Sequence, residues 1–190
     1  MKIIGGTFKN RNIYMPRGIR PTQHIVRKSL FDILGQDLTG YSFLDLCAGS
    51  GSIGIEALSR GSEPVLMVEK DQRCFEILQE NLAMMPMGDL SQKTRKYEIL
   101  NLDAFTAVKL FSTRQQRFDL VFCDPPYGRG IAKKILKILE ACDILHPNCT
   151  VIMQHQKKEI LPEDLGRISL VREKKYGSSR LSIYEIRKQE

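Results

Sequence analysis

The fold of this chain is decided by one short stretch, FDLVFCDPPY, at residues 118–127. Residues 120–123 are apolar, and their length and their aromatic and β-branched content predict a buried strand. The strand has to end at Asp124, because the two prolines that follow cannot donate hydrogen bonds to a neighbouring strand. Each proline also holds the residue before it in an extended conformation. The stretch therefore presents a carboxylate, a rigid carbonyl and an aromatic ring at the end of a strand.

This strand end suits a flat group that carries an NH2. Asp124 and the carbonyl of Pro125 can accept its two protons, and the ring of Tyr127 can stack against its face. The candidate catalytic residues are therefore Asp124, Pro125, Pro126 and Tyr127. An ordinary turn after a buried strand is the alternative interpretation, because proline-rich turns are common.

Strands and helices alternate along the rest of the chain. Strands are predicted at residues 42–47, 64–69, 97–100, 120–123 and 150–153. Helices are predicted at residues 22–34, 55–61, 71–84, 102–111 and 131–144, with a weakly signalled hairpin in residues 1–20 and an antiparallel hairpin at residues 168–175 and 181–187. This alternation predicts an α/β fold with a mostly parallel sheet, whose ligand lies beyond the carboxyl ends of the strands.

Length and composition indicate one globular domain without a metal or a membrane anchor. The chain has 190 residues, of which 42% are hydrophobic, and no apolar run reaches the ~20 residues of a membrane span. The five cysteines form no CxxC pair, and the three histidines lack metal-ligand spacing. We expect reduced cysteines and a cytoplasmic protein.

The positive charge is concentrated at the start of the chain. The net charge is +7, and residues 1–31 contain seven basic and no acidic residues. In the rest of the chain the basic and acidic residues are equal in number. A basic extension on a neutral domain predicts contact with a polyanion. We predict an RNA-facing extension at residues 1–36 and a catalytic domain at residues 37–190. The candidate RNA-binding residues are Lys9, Arg11, Arg17, Arg20, Arg27 and Lys28.

A glycine-rich loop follows the first predicted strand of the domain. Residues 49–54, GSGSIG, match the pattern GxGxxG, which alone is a weak signal and would also suit a dinucleotide. Glu69 ends the next strand, where an acid can accept hydrogen bonds from both hydroxyls of a ribose. A dinucleotide-dependent oxidoreductase therefore stays open as an alternative.

Two further acids favour S-adenosylmethionine. Asp45 precedes the glycine turn, where its carboxylate can meet an ammonium group but would repel a pyrophosphate. Asp103 follows the third strand and suits the adenine amine, although it is also a good helix N-cap. The candidate cofactor-binding residues are Asp45, Cys47, Ala48, Gly49, Gly51, Gly54, Glu69, Lys70, Asp103 and Ala104.

The chain resembles the bacterial RsmD family over nearly its whole length. The resemblance lies in Gly5-Gly6, Arg11, Pro16, Arg20-Pro21-Thr22, residues 44–54, residues 56–61 and residues 124–127. It implies a Rossmann-like class I S-adenosylmethionine-dependent methyltransferase, with a seven-stranded, mostly parallel sheet and an antiparallel C-terminal hairpin. It also implies methylation of the exocyclic amine (N2) of one guanine in small-subunit ribosomal RNA, with a monomer acting on an assembling ribosomal particle.

Several positions depart from the family pattern, and two other functions stay open. His24-Ile25 stand where the family usually has Asp-Arg, and Lys28 replaces the usual Glu. Gln154 stands where the fifth strand often carries Glu, and Cys47 replaces an aromatic residue. A DNA adenine-N6 methyltransferase can share the DPPY motif, but such enzymes generally use a separate domain to read bases in the groove. The other alternative is a non-catalytic RNA-binding protein. The complete set of motifs argues against it.

Overall fold

The computed structural model describes residues 1–16, 24–86, 96–128 and 130–187. The helices are α1 (His24–Leu34), α2 (Ser52–Ser59), α3 (Gln72–Ala83), α4 (Ala104–Thr113) and α5 (Ile131–Ala141). The strands are β1 (Phe43–Asp45), β2 (Val65–Val68), β3 (Tyr97–Leu100), β4 (Phe118–Cys123), β5 (Leu145–Gln156), β6 (Asp164–Leu165), β7 (Ile168–Tyr176) and β8 (Ser179–Ile186). Within these described ranges, no helix is long and apolar enough to cross a membrane.

The strands form one mixed sheet, which confirms the predicted α/β architecture. Its order is β3-β2-β1-β4-β5-β8-β7-β6, with parallel pairing from β3 to β5 and antiparallel pairing from β5 to β6. The sheet has eight strands rather than the expected seven, because the two-residue β6 pairs with the edge of β7. The antiparallel hairpin of β7 and β8 lies where it was expected.

Most element boundaries differ from the prediction by a few residues, and β5 differs most. β5 is twelve residues long, because Leu145 already pairs with Phe118, ahead of the apolar run that predicted the strand. Among the described residues of the predicted N-terminal hairpin, Lys2 and Asn12 form an antiparallel bridge, and further backbone hydrogen bonds join residues 1–3 to residues 10–13. The predicted cap at Thr22 and most of the predicted loop at 84–96 lie outside the described residues.

The sheet buries a hydrophobic layer on each face. One layer contains residues of α1, α2 and α3, and the other contains residues of α4 and α5. Three apolar side chains of the N-terminal segment, those of Ile3, Phe8 and Ile13, belong to the first layer. The opening of the chain therefore shares a core with the sheet.

Two glycines bring the N-terminal segment onto the last turn of α2. Gly6 has a φ of 71°, and a Cβ there would collide with the carbonyl of Ser59. The amide of Thr7 donates to that carbonyl at 2.7 Å, and the hydroxyl of Ser59 donates to Gly5 O at 2.5 Å. A side chain at either glycine would push the segment off the helix.

A buried cluster of three charges joins the N-terminal segment, α1 and α2. The Glu56 carboxylate accepts from Arg60 Nε at 3.0 Å and from the Ile4 amide at 2.9 Å. Arg27 is fully buried, donates from Nη2 to the Lys2 carbonyl at 2.6 Å and interacts electrostatically with Glu56 and Arg60. Burial lowers the pKa of Arg27, and the nearby Glu56 carboxylate opposes this shift.

We predict that Glu56→Gln lowers the free energy of unfolding by about 3–5 kcal/mol, because it leaves two buried guanidinium groups without their counter-charge. Urea unfolding followed by circular dichroism measures this change. The matched control is Glu80→Gln at an exposed position of α3, for which a change within about 0.5 kcal/mol is expected. Equal stability of the two variants would contradict the role of the cluster.

Candidate functional site

One cavity of about 630 Å³ lies at the carboxyl ends of the parallel strands. Its walls come from the glycine-rich loop after β1, the residues after β2 and β3, and the DPPY stretch after β4. Eleven of the fourteen predicted catalytic and cofactor residues line it: Cys47, Ala48, Gly49, Glu69, Lys70, Asp103, Ala104, Asp124, Pro125, Pro126 and Tyr127. Four separate segments of the chain therefore meet at one site, as the parallel topology requires.

The Glu69 carboxylate is fixed at the centre of one wall. Its Oε2 accepts from the amide of Gly49 at 2.7 Å, and its Oε1 accepts from the amide of Asp71 at 2.7 Å. Each oxygen keeps a second acceptor position, because a carboxylate oxygen has two lone pairs. The carboxylate is thus held in one orientation and can still accept hydrogen bonds from two hydroxyls of a ligand.

Asp103 has both of the features expected from the sequence. Its carboxylate caps α4 by accepting from the amides of Phe105 at 3.0 Å and Thr106 at 3.1 Å, and it also lines the cavity. The hydroxyl of Thr106 donates to it at 2.6 Å, and these hydrogen bonds lower the pKa of Asp103. A carboxylate that stays ionised can accept a further hydrogen bond from an amine.

Asp45, Gly51 and Gly54 lie behind the cavity wall. Asp45 is 1% exposed and accepts from the Gly54 amide at 3.1 Å, while a Cβ at Gly54 would collide with Met67. Gly51 begins α2 with a φ of 84°, and a Cβ there would collide with Leu78. These two glycines are therefore required for packing between α2 and its neighbours, whereas the sequence pattern predicted that they contact the cofactor.

Burial raises the pKa of Asp45 to about 8, and the nearby charges of Glu69 and Asp124 add to this rise. The hydrogen bond from Gly54 opposes the rise but does not cancel it. Its Oδ1 is buried and has no hydrogen-bond partner among the described residues. Burial therefore favours the protonated form of this carboxyl, and the contact of Asp45 with an ammonium group stays a prediction.

The DPPY stretch is anchored by the C-terminal hairpin. Pro125 is buried, while Tyr127 is 38% exposed at the cavity rim. The hydroxyl of Tyr127 lies 3.1 Å from Ser179 Oγ and accepts from Gln154 Nε2 at 3.2 Å. The ring is thus held at its far end while much of its surface stays accessible.

The charge of the cavity discriminates between the two cofactor classes. Among the described lining residues, four carry carboxylates, those of Glu69, Asp71, Asp103 and Asp124, and only Lys70 carries a positive charge. Such a cavity repels the pyrophosphate of a dinucleotide and attracts the sulfonium and ammonium groups of S-adenosylmethionine.

The space above the glycine loop is open. Gly49 has a φ of 56°, and no atom lies within 4 Å of the position that its Cβ would occupy. Apolar side chains of Leu102, Phe105, Ile131 and Ile135 form part of the cavity wall. A purine ring, a ribose and a short cationic chain therefore fit the residues that are present.

The candidate RNA-binding residues fall into three groups. Lys9 and Arg11 are exposed, and Lys28 is exposed and forms an ion pair with Asp32 at 3.2 Å. Arg27 is 0% exposed, so it cannot reach a phosphate on the surface, and its prediction is wrong. The helical pattern placed Arg27 off the apolar face of α1, but the N-terminal segment covers that side of the helix. The remaining two, Arg17 and Arg20, lie outside the described residues.

Sequence reasoning missed several residues of the site. Met15 reaches the cavity from the N-terminal segment, and its sulfur accepts from Ser50 Oγ at 2.8 Å. Gln154 and Ser179 also line the cavity. For Gln154, the position just beyond an apolar strand run was a usable signal, whereas nothing local marks Met15 or Ser179. They reach the site only through packing between distant segments.

Comparisons with known proteins identify the family. The family model described as Conserved hypothetical protein 95 matches residues 1–185. The Bacillus subtilis protein YlbH is 31% identical over 189 residues, which cover 98% of this chain and 100% of YlbH. Ribosomal RNA small subunit methyltransferase D of Escherichia coli is 30% identical over 187 residues, which cover 97% of this chain and 89% of the relative.

Solved structures agree with the sequence comparisons. The structure of the Escherichia coli protein yhhF superposes with a TM-score of 0.83 at 30% identity, covering 100% of this chain and 99% of yhhF. Other solved neighbours include S-adenosylmethionine-dependent methyltransferases, which confirms the predicted fold class. The chain therefore belongs to the Conserved hypothetical protein 95 family and is a methyltransferase with the Rossmann-like fold of S-adenosylmethionine-dependent enzymes.

Proposed function

We propose that the protein transfers a methyl group from S-adenosylmethionine to the exocyclic amine, N2, of one guanine in small-subunit ribosomal RNA. The observation that carries this proposal is the shared cavity, in which the DPPY stretch faces the glycine-rich loop and Glu69. Relatives that carry the name ribosomal RNA small subunit methyltransferase D, at 30% identity over almost the whole chain, support ribosomal RNA as the substrate.

The cofactor is held by the wall that contains Glu69. Glu69 accepts hydrogen bonds from ribose hydroxyls, and Asp103 and the Ala104 region bind the adenine. Cys47, Ala48 and Gly49 leave room for the methionyl part, and Lys70 lies at the ribose side. When bound, S-adenosylmethionine supplies an electrophilic methyl group on a positively charged sulfur.

Asp124 and the carbonyl of Pro125 orient the guanine amine. The lone pair of this nitrogen is delocalised into the base, so the amine is a poor nucleophile until its two protons are held. Hydrogen bonds to Asp124 and Pro125 favour a pyramidal nitrogen with its lone pair directed into the cavity. The Asp124 carboxylate then stabilises the positive charge that grows on the nitrogen, and it can receive the proton that leaves last.

Tyr127 stacks on the target base after the base has left its helix or loop. The hydroxyl contacts to Gln154 and Ser179 hold the ring, which lowers the entropy lost when the base binds. Pro126 keeps the stretch extended between Pro125 and the ring.

The basic extension at residues 1–36 contacts RNA phosphates. Its candidates are Lys9, Arg11, Arg17, Arg20 and Lys28, which carry most of the excess charge of the chain. We propose further that a monomer acts in the cytoplasm on an assembling ribosomal particle. The relative named ribosomal RNA small subunit methyltransferase D supports ribosomal RNA as the partner.

The proposal is tested by incubating the protein with tritium-labelled methyl donor and small ribosomal subunits that lack the modification. We expect label in one nucleoside, identified as N2-methylguanosine by mass spectrometry. Label in N6-methyladenosine, or no label in either naked RNA or particles, would refute the proposed function.

We predict that Asp124→Ala lowers kcat by about 10²–10³-fold, because it removes the group that stabilises charge in the transition state. Calorimetric titration with S-adenosylmethionine should show that binding is retained. Asp143→Ala, at an exposed acid outside the cavity, is the matched control. Near-normal methylation by the Asp124 variant would refute the proposed role.

We predict that Tyr127→Ala lowers kcat/KM by about 5- to 150-fold, because base stacking on an aromatic ring contributes about 1–3 kcal/mol. Tyr127→Phe keeps the ring but loses the hydroxyl contacts to Gln154 and Ser179, so its loss should be smaller. Steady-state kinetics on unmodified particles measures both. An equal loss in the two variants would assign the effect to the hydroxyl and exclude stacking as its source.

We predict that the free energy of unfolding of the Asp45→Asn variant increases, relative to that of the unmodified chain, as the pH rises. The folded chain keeps the Asp45 proton up to about pH 8, whereas the unfolded chain releases it near pH 4, so stability from this group is lost between those values. Asparagine cannot titrate and can still accept from the Gly54 amide. Urea unfolding at pH 5, 6.5 and 8 measures the difference, and a constant difference would contradict the raised pKa.

A further inference from the structure

The whole-chain charge balance hides a second basic region. Beyond residue 31 the basic and acidic residues are equal in number, but they are not evenly distributed. Residues 32–123 contain nine basic and thirteen acidic residues, whereas residues 124–190 contain thirteen basic and nine acidic residues. The part of the chain that begins at the DPPY stretch therefore has a surplus of four positive charges.

A second cavity, of about 340 Å³, is lined by residues that follow Tyr127 in the chain, beginning with Gly128. Lys133 of α5 and Lys158 of the segment after β5 both line it, and both are exposed. Lys157 is exposed beside them, and its amide donates to the carbonyl of Ser178 at 2.8 Å. We call the cavity with its two lining lysines, Lys133 and Lys158, the lysine groove.

The lysine groove is connected to the proposed base-stacking residue from two directions. Gly128, which follows Tyr127, forms part of its wall. The Ser178 carbonyl that holds Lys157 belongs to the same turn as Ser179, whose hydroxyl lies 3.1 Å from that of Tyr127. A nucleotide stacked on Tyr127 would therefore have its neighbouring phosphates close to the groove.

The backbone at the groove permits close approach. Gly128 and Gly130 have φ values of 90° and 63°, and, apart from their chain neighbours, no described residue has an atom within 4 Å of the position of a Cβ at either glycine. The first turn of α5 contains no acidic residue, so the positive end of that helix is not neutralised by its own first turn. A chain of phosphates can thus lie against main chain without meeting a side chain at these two positions.

One acid belongs to the same cavity. Glu159 lines it together with the two lysines, and its Oε1 is buried. Burial raises the pKa of Glu159, and the two lysines of the groove outnumber this acid. The net charge that faces the groove is therefore positive.

We propose that the lysine groove binds backbone phosphates of the RNA next to the target guanine, as a second contact surface besides the N-terminal extension. This proposal rests on the proposed function. RNA would then be bound by two surfaces, the N-terminal extension and the lysine groove, and Tyr127 would contact the target base. Phosphate contacts of this kind set the position of the nucleic acid, while the DPPY stretch selects the base.

The test measures how salt weakens binding of unmodified small-subunit RNA to the full-length protein, by filter binding over a range of KCl concentrations. We expect Lys133→Glu/Lys158→Glu to make the plot of log affinity against log salt shallower by about 2, because each lost phosphate contact changes the slope by ~1. The matched control is Lys109→Glu, an exposed lysine of α4 that lines neither cavity.

Steady-state kinetics adds an independent readout. The double variant should raise KM for the RNA more than it lowers kcat, since the contacts are made equally before and during the reaction. Phosphate binding by the lysine groove would be refuted if the double variant kept the salt slope of the unmodified protein. It would also be refuted if Lys109→Glu changed the slope as much per residue as the double variant does. Failure of the unmodified protein to methylate both small-subunit RNA and small-subunit particles would instead refute the proposed function, so the two outcomes are distinguishable.

Discussion

The structure depends on parallel pairing of the central strands. β1 lies between β2 and β4, and the pairing continues past its end, where the Leu46 amide donates to Phe122 O and the Ala48 amide donates to Val68 O, each at 2.9 Å. These bonds hold the start of the glycine loop against the ends of both neighbours. Because parallel strands end at the same edge of the sheet, the cofactor wall and the DPPY stretch must face each other.

The same edge concentrates negative charge, and the protein manages that charge in two ways. Glu69 and Asp103 stay at the surface of the cavity, where backbone amides stabilise them as carboxylates. Asp45 lies one layer deeper, and burial favours its neutral form. A cationic ligand would relieve the remaining repulsion, so the electrostatics and the open space at Gly49 favour the same kind of cofactor.

Substrate-side residues are held by the two ends of the chain. The C-terminal hairpin holds Tyr127 through Ser179, and the N-terminal segment brings Met15 to the cavity through its hydrogen bonds with α2 and α3. The buried cluster of Glu56, Arg60 and Arg27 keeps that segment in place. Both ends are thus attached to the central sheet at points close to the proposed RNA path.

The sequence by itself determined the order of elements, the parallel sheet and eleven of the residues that line the cavity, because strand ends, glycine turns and prolines have local signatures. Tertiary structure alone decided the depth of Asp45, the burial of Arg27 and the contributions of Met15 and Ser179. Depth depends on which distant segment covers a side chain, and no local pattern contains that information. The lysine groove also depends on tertiary structure, because Lys133 and Lys158 come together only where β5 returns beside α5.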